Sequence, residues 1–156
     1  MSAEDLDRAL DGVERVLLDS SGLIAFHIST EVTHAIMRHL LGRISDDSDT
    51  LRGYYSVASA VEVLIRPIRS SHDEFKFMHE FLTEFPNLFV LPMDLTVATQ
   101  AAALRASMGL SFTDAVIVAS GLLSGCQAIV SNDRRWQQRG AAMFSEFRWI
   151  YLDDYV

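Results

Sequence analysis

Five short apolar runs alternate with longer stretches of helical spacing, and this alternation constrains the fold more than any other feature of the sequence. The runs that suit buried strands are 15–19, 54–57, 88–91, 127–130 and 148–152. Buried strands separated by helices predict a parallel sheet that is covered on both faces. We therefore expect an α/β fold, a three-layer α/β/α sandwich around a mostly parallel five-stranded sheet with right-handed connections.

The stretches between the strands carry start and stop signals of helices. Ser71 and Glu74 have the spacing of a capping box, and Asp94 precedes a strong helix former that stops at Gly109. The predicted helices are 31–43, 58–66, 72–85, 95–108, 114–125 and 133–140. Because ligands bind outside the carboxyl ends of strands in such sheets, a functional site is expected at that edge.

The 156 residues are one domain's worth of sequence, and 49% of them are apolar, which is enough for a single core. Residues 1–14 and the loop 45–50 are acidic and are expected to be solvated. We expect an acidic N-terminal extension over 1–14 and a single domain over 15–156. The absence of a signal sequence, of a long apolar run and of a second cysteine beside Cys126 predicts a cytoplasmic protein without a membrane segment.

The formal net charge of −8 argues, at face value, against a nucleic-acid partner, because phosphate binding usually needs a basic surface. The acids are unevenly distributed, however. Residues 1–14 hold five acids and one base, the loop 45–50 holds three acids, and the tail 153–154 holds two. The rest of the chain has 11 acids and 12 bases, so the charge predicts modest, salt-sensitive affinity for nucleic acid rather than none.

Four acids stand among apolar or small residues at or near the ends of predicted strands, where the chain should bury surface. They are Asp19, Glu62, Asp114 and Asp133. A buried unpaired carboxylate is unfavourable, and converging carboxylates repel each other unless a cation lies between them. Oxygen ligands suit Mg²⁺ or Mn²⁺ rather than Zn²⁺. The four acids are therefore candidate metal ligands and catalytic residues of a site that activates water in phosphate chemistry.

Each acid also has an ordinary structural interpretation. Asp19 and Asp133 could cap the turn or helix that follows them. Asp114 could be an acid that the helix dipole favours, and Glu62 could be an exposed helix residue. A purely structural role for all four acids together is the weaker interpretation, because four separate ordinary explanations would all have to hold at once.

Four motifs in order resemble those of the PIN-domain ribonucleases, most closely the VapC-type toxins of bacterial toxin–antitoxin pairs. Asp19-Ser20-Ser21 resembles the motif at the end of the first strand, and 56–64 resembles the second motif. Residues 110–119 are similar to the third motif, and 131–136 to the fourth. Any one motif is weak, but four in order over residues 15–156 are fairly specific, and they imply a single PIN-like nuclease domain over that range.

The resemblance implies Mg²⁺- or Mn²⁺-dependent cleavage of RNA by metal-activated water. It implies a core metal cage of Asp19, Glu62 and Asp114, with Asp133 as an outer acid or a ligand to a second ion. Two supporting residues are implied as well: Ser21, which would orient Asp19 or a metal-bound water, and Asn132, which would hold the fourth loop. The implied partners are an RNA substrate, a small antitoxin protein and a second copy in a homodimer.

Arginines follow two of the motifs at the expected rim of the site. Because arginine suits bidentate phosphate contact, the candidate RNA-binding residues are Arg66, Arg69, Arg134 and Arg135. Ordinary surface arginine is the alternative.

The phenylalanines within 75–89 are expected in the core, and an exposed apolar groove for a partner is the alternative.

Three hypotheses of function follow from these features. The first is a metal-dependent endoribonuclease that is the toxin of a toxin–antitoxin pair. The second is a non-catalytic PIN-like module that uses the acidic pocket to bind a partner or a metal. The third, a receiver-like domain, fits poorly because a receiver needs a lysine near its end and the only lysine is Lys76.

Overall fold

The structure, a computed structural model, describes residues 2–136, 145 and 147–156. Five strands form one sheet: β1 (Arg15–Leu18), β2 (Arg52–Ser56), β3 (Leu88–Leu91), β4 (Ala128–Ser131) and β5 (Arg148–Tyr151). Their order is β3-β2-β1-β4-β5, and each neighbouring pair is parallel. The predicted α/β fold with five strands is confirmed, and the sheet is parallel throughout.

Seven α-helices are present in the described residues. They are α1 (Ala3–Ala9), α2 (Ser20–His27), α3 (His34–Ser45), α4 (Val57–Ser70), α5 (His72–Glu84), α6 (Leu95–Met108) and α7 (Phe112–Leu123). A 3₁₀ turn, η1 (Leu152–Tyr155), follows β5. The sequence did not predict α1 or α2, and residues 137–140 of the helix predicted over 133–140 lie outside the described residues.

The predicted helix boundaries rest on the capping groups that the sequence indicated. The Ser71 hydroxyl accepts a hydrogen bond from the Glu74 backbone N–H at 3.1 Å, and the Asp94 carboxylate accepts one from the Val97 N–H at 2.9 Å. Gly109 ends α6 with a φ of 64°, a left-handed conformation that glycine adopts without strain.

Alternate residues of the strands point into two separate apolar clusters on opposite faces of the sheet. On β1, Val16 and Leu18 belong to the cluster under α2, α3 and α5, whereas Leu17 belongs to the cluster under α6 and α7. All three side chains are fully buried. Helices therefore cover both faces, and only the edges and ends of the sheet remain for a site.

The acidic composition of residues 1–14 predicts a solvated segment, but part of this segment is buried. Leu6, Leu10 and Val13 are buried in the same cluster as β1 and α3. The carboxylate of Asp7 accepts a hydrogen bond from Nε2 of His39 at 2.9 Å. The acids of this segment face outward while its apolar side chains complete the core, and the division at residue 14 stays a prediction.

The phenylalanines of 75–89 divide between the core and the surface. Phe81 is buried, and Phe85 packs at the edge of the core, as expected. Phe77 is 50% exposed and Phe89 is 46% exposed, so the core prediction is wrong for these two.

No helix within the described ranges combines the length and hydropathy that a membrane span requires.

We expect Leu6→Ala to lower the free energy of unfolding by about 2–5 kcal/mol, because it removes a fully buried side chain and leaves a cavity. Leu95→Ala is the matched control, since Leu95 is 82% exposed on α6. Its change should stay within about 0.5 kcal/mol. Urea unfolding followed by circular dichroism measures both. Equal effects of the two substitutions would show that α1 is not part of the core.

Candidate active site

Four acids from separate segments line one open cleft of about 410 Å³ at the carboxyl edge of the sheet. Asp19 follows β1, Glu62 lies on α4 after β2, Asp114 lies in the first turn of α7, and Asp133 follows β4. The other lining residues are Ser20, Ser21, Ile24, Ile65, Arg66 and Arg135. The structure thus brings together all four predicted acids at the predicted edge.

Asp19 is the most constrained of the four acids and is only 5% exposed. Its Oδ2 accepts hydrogen bonds from the hydroxyls of Ser131 at 2.8 Å and Ser21 at 3.1 Å, and its Oδ1 accepts one from the Ser20 N–H at 2.8 Å. Burial raises the pKa of Asp19 above its ordinary value, and the nearby negative charge of Glu62 adds to that rise. The three hydrogen bonds oppose the rise because they favour the ionised carboxylate.

The two hydroxyls that hold Asp19 also hold the loop after β4. The Ser131 hydroxyl accepts a hydrogen bond from the Asp133 N–H, and the Ser21 hydroxyl accepts one from the Asn132 N–H, both at 2.9 Å. The Asn132 side-chain amide donates to the hydroxyl of buried Thr33 at 2.9 Å. One hydrogen-bond network therefore fixes the ends of β1 and β4 relative to the turn before α3.

Ser131 and Thr33 are contributors that the sequence analysis did not assign to the site. A hydroxyl residue at the end of the fully buried β4 was a usable signal for Ser131, because buried hydroxyls need a partner. Thr33 gave no such signal, since it lies in a turn 99 residues before Asn132.

Glu62 and Asp114 lie in the cleft without being buried. Glu62 is exposed and Asp114 is partly exposed, and neither carboxylate has a hydrogen-bond or ion-pair partner among the residues that the structure describes. The neighbours Val61 and Ile65 are themselves 61% and 45% exposed. The expectation that apolar neighbours bury Glu62 is therefore wrong, because these side chains form an outward-facing stripe on α4.

Asp133 is engaged by Arg135, two residues further along the chain. Nε of Arg135 donates to Oδ1 at 2.9 Å and Oδ2 at 2.8 Å, and Nη2 makes a further close contact with Oδ2. The backbone N–H of Arg135 also donates to Oδ1 at 2.9 Å. The hydrogen bonds from the Arg135 side chain lower the pKa of Asp133, and hence favour its ionised form.

The four predicted RNA-binding arginines do not lie together. Arg66 and Arg135 line the cleft. Arg134 instead pairs with Asp154 and lies over the ring of Tyr151, with 5.4 Å between guanidinium carbon and ring centre. Arg69 is exposed near the end of α4 and is not a lining residue.

The donor chemistry of the cleft suits a hard divalent cation, since its candidate ligands are carboxylates. Four carboxylates and two guanidiniums give the lining a formal charge of −2, which one such ion balances. Within the described ranges, however, no three His, Cys, Asp or Glu side chains lie close enough together to hold a metal ion. Closing a coordination sphere would require these carboxylates to move closer together, and no hydrogen bond or ion pair among the described residues holds those of Glu62 and Asp114 in place.

The fold of this chain is similar to that of several solved VapC and VapBC proteins. VapC20 of Mycobacterium tuberculosis, described as a sarcin–ricin loop cleaving toxin, is 17% identical with a TM-score of 0.64, and the match covers 80% of this chain and 95% of that one. VapBC-1 of nontypeable Haemophilus influenzae is 16% identical with a TM-score of 0.64, over 89% and 98% of the two chains.

VapBC2 of Rickettsia felis, solved with a DNA fragment from its promoter, is 9% identical with a TM-score of 0.64. The match covers 88% of this chain and 96% of that one. At these identities the structural matches support the fold alone. No curated protein sequence gives a match. The family model for the PIN domain matches residues 16–142, a range that includes all four acids of the cleft. Most of the chain is therefore matched in sequence as well as in fold, and the chain belongs to the PIN domain family.

Proposed function

We propose that this chain is a Mg²⁺- or Mn²⁺-dependent endoribonuclease and the toxin of a toxin–antitoxin pair. The observation that carries the proposal is the meeting of four carboxylates, from four separate segments, in one cleft at the carboxyl edge of the sheet. Membership of the PIN domain family supports a nuclease. The similarity to VapC20, described as a sarcin–ricin loop cleaving toxin, supports RNA as the substrate.

In this proposal Asp19, Glu62 and Asp114 hold the cation, and Asp133 is an outer acid or contacts a second ion. When bound, the cation would activate water for attack on a phosphodiester and neutralise charge on the phosphate. Ser21 orients the carboxylate of Asp19 through the hydrogen bond described above. Asn132 holds the loop after β4 through its contacts with Ser21 and Thr33.

The four candidate arginines differ in how directly they could contact RNA in the cleft. Arg66 and Arg135 line the cleft and can bind the phosphates of an RNA strand within it. Arg69 and Arg134 lie outside the lining and would contact only flanking nucleotides. The sugar-phosphate chain, rather than the bases, is the feature of RNA that this set of side chains can recognise.

An antitoxin partner is supported by two independent observations. Structures similar to this chain include a toxin–antitoxin complex from Klebsiella pneumoniae and DNA-bound VapBC from Salmonella typhimurium. On α4, Val61, Ile65 and Ile68 are 45–64% exposed at helical spacing and form an apolar stripe beside the cleft. Such a stripe suits the apolar face of a partner helix. We propose a homodimer from the family resemblance, and a cytoplasmic location from the N-terminal sequence and the single cysteine.

The second candidate function is a non-catalytic binding module. The spacing of the acids favours it, because no three metal-binding side chains of the described residues are close enough to share an ion. In such a module the carboxylates would bind basic groups of a partner protein instead. Uptake of Mn²⁺ separates the two functions, because a module of this kind need not bind the ion.

We expect Asp19→Asn and Asp114→Asn each to reduce Mn²⁺-dependent RNA cleavage by about 100-fold or more, because each removes a charge aimed at the reacting centre. Cleavage of labelled RNA by purified protein measures the effect, and EDTA should abolish the wild-type activity. Asp153→Asn, at an exposed acid outside the cleft, is the control and should cleave normally.

Induced expression in a bacterial host provides the test of the toxin role. The wild-type chain should arrest growth, and Asp114→Asn should not. Cleavage that survives both substitutions and EDTA would overturn the nuclease proposal. Robust cleavage without growth arrest would overturn the toxin role and leave the nuclease in place.

We expect Ser131→Ala to lower the cleavage rate by about 10–100-fold, the usual effect of removing a group that orients a metal ligand. Ser131→Thr should restore most of the activity, because threonine retains the hydroxyl that donates to Asp19. Ser48→Ala is the control, since Ser48 is exposed and, within the described ranges, its hydroxyl bonds only to Asp46. An active Ser131→Ala variant would show that the orientation of Asp19 does not depend on this hydroxyl.

A further inference from the structure

Asp133 and Arg135, two residues apart, are joined by several hydrogen bonds rather than by a single ionic contact. Both carboxylate oxygens accept from Nε of Arg135, Nη2 contacts Oδ2, and the backbone N–H of Arg135 is a third donor. The backbone of Asp133 is itself tied to the Ser131 hydroxyl at the end of β4. The guanidinium is therefore anchored, through Asp133, to the same hydroxyl that holds Asp19.

The pair occupies one edge of the guanidinium and leaves the other edge open. Nε and Nη2 face the carboxylate, whereas Nη1 makes no hydrogen bond or ion pair with the described residues. The Arg135 side chain is 83% exposed at the rim of the cleft. A guanidinium has five N–H donors, so it can hold a carboxylate on one edge and a phosphate oxygen on the other.

The neighbouring arginine has a different environment. The guanidinium of Arg134 lies against Asp154 and the Tyr151 ring, outside the cleft. Arg135, by contrast, lies close enough to Asp114 and Asp19 for their charges to act on it. Of the two adjacent arginines, Arg135 is the one that the structure directs toward the acidic site.

Asp133 also differs from the other acids of the cleft. Glu62 and Asp114 have carboxylates without partners in the described part of the chain, and hence are available to a cation. Both oxygens of Asp133 already accept from a cationic side chain. To ligate a metal, Asp133 would have to give up contacts that Glu62 and Asp114 do not have.

We propose that Asp133 is a positioning residue that acts through Arg135, and that the free edge of Arg135 binds a phosphate of the RNA strand entering the cleft. This inference rests on the proposed nuclease function and deepens it. It assigns the cation to Asp19, Glu62 and Asp114, and it makes the fourth acid part of the substrate-binding surface.

The test is a double-mutant cycle read as RNA affinity in the absence of metal. Labelled single-stranded RNA of mixed sequence is titrated in EDTA, at several salt concentrations, with Arg135→Gln, Asp133→Asn and the double variant. Loss of one phosphate contact should weaken binding by about 5–10-fold and reduce the slope of log affinity against log salt by about one. Asp133→Asn should weaken binding in the wild-type background and have no further effect in the Arg135→Gln background.

Three further variants complete the design. Arg135→Lys keeps the charge and loses the fork, so it should retain the salt slope with intermediate affinity. Arg105→Gln removes an exposed arginine of α6 outside the cleft lining and should change neither quantity. Calorimetric titration with Mn²⁺ should show wild-type affinity for Asp133→Asn and a loss of about 10-fold or more for Asp114→Asn.

Two results would overturn the inference. One is an Asp133→Asn variant that loses Mn²⁺ affinity as severely as Asp114→Asn, which would make Asp133 a metal ligand. The other is an Arg135→Gln variant with unchanged RNA affinity and salt slope. Failure of the proposed nuclease function gives a different pattern, in which Asp114→Asn changes neither Mn²⁺ binding nor RNA cleavage. Thermal melting of each variant confirms that it is folded.

Discussion

A carboxylate buried at the end of a strand needs hydrogen-bond donors, and in this chain the donors for Asp19 come from two segments that are far apart in sequence. Ser21 lies two residues after it, and Ser131 lies 112 residues after it. Satisfying Asp19 therefore requires β1 and β4 to end side by side, as their parallel register also demands. The same hydroxyls then fix the loop that carries Asp133. The positions of Asp19 and Asp133 depend on this shared set of bonds, because it fixes the two segments from which their carboxylates project.

The other two acids of the cleft lie outside this hydrogen-bond network, so the site has a fixed part and an adjustable part. Asp19 and Asp133 are held in place by donors, whereas Glu62 and Asp114 project from helix surfaces without partners among the described residues. A fixed carboxylate beside adjustable ones suits an ion that must accept both protein and substrate oxygens. The two arginines of the cleft differ in the same way: Asp133 anchors Arg135, whereas Arg66 has no ion pair among the described residues.

The sequence predicted the centre of the sheet well because β1 and β4 are buried on both faces and are continuous apolar runs. It missed α2, whose Ser-Ser-Gly start has low helix propensity, because Asp19 caps that helix only once β1 is in place. It also missed α1, although Leu6, Leu10 and Val13 at helical spacing were a usable signal. The acids of the segment outweighed that pattern in the interpretation.

The candidate site was predictable in its membership but not in its contacts. Strand ends of a parallel sheet meet at one edge, so the topology alone brings Asp19 and Asp133 together. No sequence rule states which of two adjacent arginines turns toward the acids, because Arg134 is drawn away by Asp154, 20 residues further on. Nor does the sequence distinguish the apolar neighbours of Glu62 that pack inward from those that form the exposed stripe on α4.

The most direct test of the central claim, that this cleft is a divalent cation site, is anomalous diffraction from crystals grown or soaked with Mn²⁺. The account predicts an anomalous peak in contact with the carboxylate of Asp19, with Glu62 and Asp114 rotated toward it. A saturating Mn²⁺ soak that leaves the cleft without a peak, or that places the ion only elsewhere on the molecule, would contradict the account.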